Sequence, residues 1–258
     1  MVGHSISASQ PDDSPVAIEN RDGKAPFLIL CDHASNHLPA EFGTLGLTPD
    51  ALSAHIAWDP GALGVARGLA ARLDAPLVYA KVSRLVADLN RFPDDDDLIV
   101  RVSDGIVIPG NADLSAEARA ERIARWHAPY HAAIAAVIDG MARPLAIISV
   151  HSFTPVYGGR ARPWQIGVVF GADGRLAEPL IAGLRAGGDL VVGINEPYAP
   201  GDRVYRTLEY HAEPRGLASV MLEIRNDEIA TAAGEDAYAE RLAGLVAALM
   251  PERRAAAG

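Results

Sequence analysis

Three apolar runs in this chain end in side chains that could work around one metal ion. Phe27-Leu28-Ile29-Leu30-Cys31 leads through Asp32 to His33, Ile147-Ile148-Ser149-Val150 leads to His151, and Ala218-Ser219-Val220-Met221-Leu222 leads to Glu223. A neutral imidazole is the commonest metal ligand, and a catalytic zinc keeps one position for a water whose pKa falls to about 7. A carboxylate that does not ligate can take that water's proton as general base. The three residues therefore suit a one-metal hydrolase with His33 and His151 as ligands and Glu223 as base. Spacing alone equally allows two loop-anchoring histidines, because no short metal motif such as HExxH occurs. The third ligand is open between Asn36 and Asp59. Asn36 lies three residues after His33, but an amide oxygen is a poor zinc ligand. Asp59 is a carboxylate, although an Asp before Pro60 is also a good helix N-cap.

Other polar residues could serve the same site. Arg84, Asn90 and Arg91 form a candidate clamp for a substrate carboxylate, since guanidinium groups bind carboxylates bidentately and stay charged. In an extended segment Arg84, Asp88 and Asn90 share a face and Arg91 points the other way, so a turn near Asp88 is needed to converge both arginines. The bland alternative pairs the arginines with Asp88 or the acidic run from Asp94 to Asp97. His211, in a long polar stretch, is a candidate to cover the site. His127 and His131 sit one helical turn apart and could share a metal, though the apolar stripe around Trp126 and Tyr130 explains them nearly as well. His37 and His55 could line the rim, or merely cap and face solvent. Cys31 is expected to be a small buried hydrophobe.

The elements that must carry these side chains can be outlined from pattern. Continuous apolar runs bounded by turn residues suit strands buried on both faces, as in parallel sheets. Strands are expected from Pro26 to Cys31, Pro76 to Val82, Leu145 to Val150, Gln165 to Phe170, Leu190 to Ile194 and up to Glu223. Helices are expected after Thr48-Pro49, from Asp59-Pro60 to about Leu73, from Ser115 to about Met141 with a break at Pro129, from Leu176 to Leu184, and from Asp227 to about Leu249. A Gly-, Arg- and Pro-rich loop runs from Thr154 to Pro163, and Asn195 to Arg215 has no sustained period. Strands alternating with helices predict one three-layer α/β/α domain over residues 25–250 with a largely parallel, mixed central sheet. Residues 1–24 are expected to form a flexible arm. In such sheets sites form beyond the carboxyl ends of the strands, where His33, His151 and Glu223 fall.

Composition narrows the function. The chain has 258 residues, 49% of them hydrophobic and only 6% aromatic, enough for a sizeable aliphatic core. Its formal charge of -10 argues against nucleic-acid binding, which needs clustered Lys and Arg. One cysteine permits no internal disulfide, and neither a signal-peptide pattern nor an apolar run of the roughly 20 residues needed to span a bilayer is present, so a cytoplasmic protein without membrane partners is expected.

Taken in order, CDHASNHLP, AWDPGA, SRLVADLNR, RWHAPYH, SVHSF and EIRND resemble the N-formylglutamate amidohydrolase family over roughly residues 25 to 230. The resemblance implies a phosphorylase/hydrolase-like fold similar to zinc carboxypeptidases and acylamino-acid deacylases. It implies an amide hydrolase with one divalent metal, expected to be zinc, held by His33 and His151, with Glu223 activating water. Arg84, Asn90 and Arg91 would hold the carboxylate of a small N-acyl amino acid such as N-formylglutamate. The carboxypeptidases carry a glutamate ligand where Asn36 stands here, while the family's shared aspartate matches Asp59, which makes Asp59 the favoured third ligand. Two other readings remain at this stage: a carboxypeptidase-like peptidase, and a non-catalytic binder of an anionic metabolite with a degenerate metal site.

Overall fold

The three apolar runs become neighbouring strands in the computed structural model, which describes residues 14–249. In chain order the first elements are β1 (Val16–Glu19), β2 (Phe27–Cys31), α1 (Pro49–Ser53), α2 (Ala62–Leu73) and β3 (Leu77–Ala80). A small hairpin of β4 (Val102–Ser103) and β5 (Ile106–Val107) follows, then α3 (Ala116–Arg122) and α4 (Ala128–Gly140). Next come β6 (Ala146–Phe153), a second hairpin of β7 (Val156–Tyr157) and β8 (Arg160–Ala161), and β9 (Ile166–Val169). The chain ends with α5 (Ala177–Ala186), β10 (Val192–Ile194), α6 (Arg206–His211), β11 (Ala218–Arg225) and α7 (Ala232–Ala248).

Seven strands form one sheet in the order β1-β3-β2-β6-β11-β9-β10. Strands β3, β2, β6 and β11 are parallel, and β9 runs antiparallel to β11. The expected mixed, largely parallel sheet is therefore present, and both of its faces are covered. Ile29, Ile148, Val150, Val220 and Leu222 pack against α2, α5 and α7. The alternate residues Leu28, Leu30, Ile147 and Met221 pack against Tyr130, Ile134 and Val137 of α4 and Leu208 of α6. The period-two alternation of strand side chains divides the two layers. Cys31 is buried as a small core residue. Among the described residues no helix is long and apolar enough to cross a membrane.

Several local expectations need correction. The arm expected over residues 1–24 contains strand β1, which pairs antiparallel with β3, Val16 opposite Ala80 and Ile18 opposite Val78. Val16 and Ile18 pack against the α4-side core, an alternation too short to stand out in a polar stretch. The rest of that arm, residues 1–13, lies outside the described residues. The break expected at Pro129 is present, in the form of a π-helical turn over Ile123–His127 between α3 and α4. Pro129 has no N–H to give the preceding turn, and the wider turn absorbs the missing bond. The last helix is capped by Thr231, whose side chain accepts the Gly234 N–H, and not by Asp227. The long stretch after Asn195 holds a 3-10 turn at Pro200–Asp202 and helix α6. The loop from Thr154 to Pro163 holds the β7–β8 hairpin.

Candidate active site

Parallel pairing of β6 with β11 sets Glu223 directly opposite His151. Ser149 and His151 lie two residues apart on β6 and therefore share a face, the one toward α4. Residue Asp32, one step past β2, reaches the same face. It accepts hydrogen bonds from Tyr130 Oη, Ser149 Oγ and Thr207 Oγ1, each at 2.9 Å, and lies 2.9 Å from His151 Nε2. His33 follows in the turn, tied to the later chain by the Asp59 N–H donating to its carbonyl at 2.9 Å.

Asp59 does not cap α2, whose N-cap is Gly61 with φ +81°. A Cβ on Gly61 would lie 2.3 Å from the Ile229 carbonyl oxygen, so the glycine admits both the left-handed backbone and the close approach. The Asp59 side chain is thereby turned into the sheet edge. Its Oδ2 lies 2.9 Å from His151 Nδ1 and 3.3 Å from His33 Nδ1. Each outer nitrogen meets another carboxylate: His151 Nε2 is on Asp32, and His33 Nε2 is 2.7 Å from Asp88 Oδ1. All of these side chains are buried.

The donor set fits a divalent ion. Among the described residues, His33, Asp59 and His151 offer one ligand atom each, all within 4.8 Å of one another. The 3.3 Å between Asp59 Oδ2 and His33 Nδ1 is close to the spacing of two ligands on a tetrahedral ion with bonds of about 2.0–2.1 Å, and the 2.9 Å to His151 Nδ1 is somewhat shorter. Carboxylates behind ligating histidines fix their tautomer and orientation. The local charge also balances: Asp32, Asp59 and Asp88 against Arg84 leave two negative charges around two imidazoles. Burial works against the charged form of Asp59, but His33 and His151 hold its carboxyl far below the usual range. Burial likewise favours the neutral His151, yet Asp32 and Asp59 raise its pKa well above the ordinary value. Asn36, the other ligand considered, is exposed and donates to the Leu52 carbonyl at 3.0 Å. The turn after His33 carries it away from the cluster, which Asp59 joins.

Glu223 lines the same cavity of about 230 Å³ as His33, Asp59 and His151. Its Oε2 is buried without a hydrogen-bond partner. Burial pushes its carboxyl up to about 7, against the nearby His151. The next strand gives it room, because Gly167 sits opposite Glu223 in the antiparallel β9 pairing.

The arginine segment, expected to be extended unless it turned near Asp88, does turn, and this brings Arg84 and Arg91 to the cavity wall. Arg84 is held by Asp88, with Nε 2.9 Å from Oδ2, and approaches Asp59 Oδ1 at 3.5 Å. Arg91 spends Nη1 on the carbonyls of Asp202 and Arg203. Asn90 is not on that wall: its amide donates to the Val204 carbonyl and accepts the Thr207 N–H at 2.9 Å. Both of its functions are spent fixing the segment that enters α6. His211 is also behind the wall, fully buried, with Nε2 2.9 Å from His131 Nδ1. His131 Nε2 and His127 Nε2 hold the carbonyls of Leu89 and Arg91 at 3.0 Å, so both histidines bind the backbone of the arginine segment. His55 lines the cavity and pairs with Asp104 at 3.2 Å, whereas His37 is exposed. In the acidic run Asp95 is the exception, buried and paired with Arg203.

Sequence reasoning did not single out Asp32, Tyr157, Arg162 or Tyr198. Asp32 had a readable signal, since it adjoins His33 at a strand end and shares parity with Leu30. Tyr157 and Tyr198 come from loops whose conformation has no local pattern.

Fold and cluster together define a class of protein: three-layer α/β proteins with two histidines, an aspartate and a buried glutamate gathered at the carboxyl ends of adjoining parallel strands. The family model of N-formylglutamate amidohydrolase matches residues 25–230, and the chain belongs to that family. It is accordingly a hydrolase of amide bonds. The gene product Atu2144 from Agrobacterium tumefaciens is similar in structure, with 43% identity over 92% of this chain and 94% of that one, and a TM-score of 0.89. The N-formylglutamate amidohydrolase from Ralstonia eutropha JMP134 shares the fold, with 20% identity, 90% and 95% coverage and a TM-score of 0.67. No curated protein gives a significant sequence match.

Proposed function

We propose that the protein hydrolyses the amide of a small N-acyl amino acid of the N-formylglutamate type, with one divalent ion, zinc by its donor set, held by His33, Asp59 and His151. The observation that carries this reading is the convergence of both Nδ1 atoms on Asp59 beside the unpartnered Glu223 Oε2. When bound, the ion supplies a Lewis acid for the scissile carbonyl and lowers the pKa of water. Glu223 takes a proton from the attacking water and returns it to the departing nitrogen. Its buried, unbonded oxygen supports that role, since no structural bond would be broken by the transfer. Asp32 and Asp88 keep the two imidazoles oriented. Arg84 and Arg91 bind the amino acid's carboxylate and fix the amide over the cluster, which turns binding into orientation. A cavity of about 230 Å³ suits one acylated amino acid rather than a long peptide. A buried base with no structural partner is also out of place in a protein that only binds an anion.

Metal analysis of purified protein, with His33→Ala and His151→Ala beside the parent, tests the ligand set. Both variants are expected to lose zinc, and folded variants that hold it at the parent's stoichiometry sink the assignment. A panel of N-acyl amino acids and dipeptides tests the reaction: the former should turn over and the latter should not.

A further inference from the structure

The cavity beside the cluster is poor in free cations. Among the described residues its lining holds two guanidinium groups, Arg84 and Arg91, against four carboxylates, Asp59, Asp88, Asp97 and Glu223. Arg84 engages Asp88 with Nε and Nη2 and approaches Asp59 with Nη1, so two carboxylates already compensate it. Arg91 engages only Nη1, on the carbonyls of Asp202 and Arg203, which leaves Nε and Nη2 for a bidentate contact. His55 has its Nε2 on Asp104 at 3.2 Å. Arg162 does not line the cavity: its guanidinium carbon lies 4.7 Å from the ring centre of Tyr157 and 4.9 Å from that of Tyr198, the two rings that do. The wall therefore provides for one substrate carboxylate and not for two.

Ile56, Val100, Val102 and Val204 supply an apolar strip in the same wall. The three valines are tied to the arginine turn. The Asp88 N–H donates to the Leu98 carbonyl at 2.7 Å, and the Asn111 side-chain amide donates to the carbonyls of Leu85 and Val100 at 3.0 and 2.9 Å. Val102 follows two residues later, at the start of β4. Val204 is held by the Asn90 amide on its carbonyl. The strip thus adjoins the group that would take the α-carboxylate. A side chain branches from the same carbon as that carboxylate, so the side chain, and not the acyl group across the amide, meets the valines. Val102 is 53% exposed in the free protein, and an aliphatic group laid over it removes both surfaces from water. A carboxylate in that position would lose water beside Asp97 without meeting a cation.

Resting on the proposed amide hydrolysis, we infer that Val100, Val102 and Val204 form the subsite for the substrate's side chain, and that the protein prefers N-acyl amino acids with an uncharged aliphatic side chain to N-formylglutamate itself. Arg91 then holds the one carboxylate such a substrate carries.

Steady-state kinetics on N-formylleucine and N-formylglutamate, which are close in size, provide the test. The parent is expected to show a kcat/KM at least about tenfold higher for the leucine derivative. An equal or higher value for N-formylglutamate overturns the subsite. Val102→Lys, which sets a cation at the exposed end of the strip, should shift the ratio about tenfold toward N-formylglutamate, mainly through KM. The parent's ratio in that variant also overturns the subsite. Should Val102→Lys fail to fold, Asp97→Lys decides by the same criterion. If the parent hydrolyses neither substrate, the proposed function fails by itself, and calorimetric titration with isocaproate and with glutarate decides the subsite. Tighter binding of isocaproate, with the preference reduced in Val102→Lys, upholds it. Equal or tighter binding of glutarate, binding of neither, or a preference that Val102→Lys leaves unaltered refutes it.

Discussion

His33 and His151 each have a carboxylate at both ring nitrogens, and this arrangement sorts the inner residues from the supporting ones. Asp59 is shared by the two Nδ1 atoms, while Asp88 and Asp32 stand separately behind the Nε2 atoms. In the proposed metal site, removing an outer carboxylate would leave the histidine in place but free its ring to rotate and lower its basicity. Asp88→Asn and Asp32→Asn are each expected to weaken metal affinity about 10- to 100-fold, measured by competition with a chromophoric chelator. Equal affinity in all three proteins would show that the outer carboxylates are not needed for ligand orientation. Glu223→Gln is expected to bind zinc like the parent and to lose about 10²- to 10⁴-fold in kcat, the usual contribution of a general base. Retained turnover in that variant would remove Glu223 from the chemistry. Among these residues the two histidines and Glu223 could be named from type and position at strand ends, whereas Asp59 was favoured over Asn36 only by the family resemblance. The pairing of Asp88 with Arg84 was foreseen, but the histidine partners of Asp32 and Asp88 were not, because those bonds span 119 and 55 positions of sequence.

Helices α4 and α6 act on the site through a stack of histidines. His131 Nε2 faces the Leu89 carbonyl and must donate, so His131 Nδ1 accepts from His211 Nε2. That leaves His211 Nδ1 as a buried, unpartnered acceptor. Burial, with Arg215 beside it, pushes the His211 pKa down to about 4 from an ordinary 6.5. The unfolded chain therefore takes up this proton first as pH falls, and stability is lost between about 6.5 and 4. By urea titration, the parent should lose about 3 kcal/mol more than His211→Gln between pH 7 and pH 4. Parallel pH curves for the two proteins would refute the neutral pairing. The same elements explain why the clamp was only half legible. The patterning named a turn near Asp88 only as a condition for convergence, and the turn over residues 83–91 brings Arg84 and Arg91 to one cavity while it spends Asn90 on the α6 entry.

Across the whole molecule the cluster joins elements from distant parts of the chain: the turn after β2, the approach to α2, and the ends of β6 and β11. The ion proposed for this cluster would be shared by these elements and would stabilise only the folded state. Removing metal with a chelator is expected to lower Tm, and zinc at about 100 times its Kd should restore roughly 2.7 kcal/mol. His151→Ala should abolish that response. A parent protein whose Tm is indifferent to chelator and zinc would contradict the shared-ion reading.

The sequence by itself determined the layered α/β architecture, the buried parallel strands and the strand ends that carry His33, His151 and Glu223. These follow from local periodicity, because an apolar run of strand length must be buried on both faces wherever it sits. Only the tertiary structure decided that Asp59 and not Asn36 faces the histidines, that β1 belongs to the sheet, and that Tyr157 and Tyr198 meet at the cavity. Each of those outcomes depends on turn conformation and on contacts between residues far apart in sequence. The glycines at 61 and 167 permit two of the closest approaches, and their effect becomes visible only when the backbone they admit is in place.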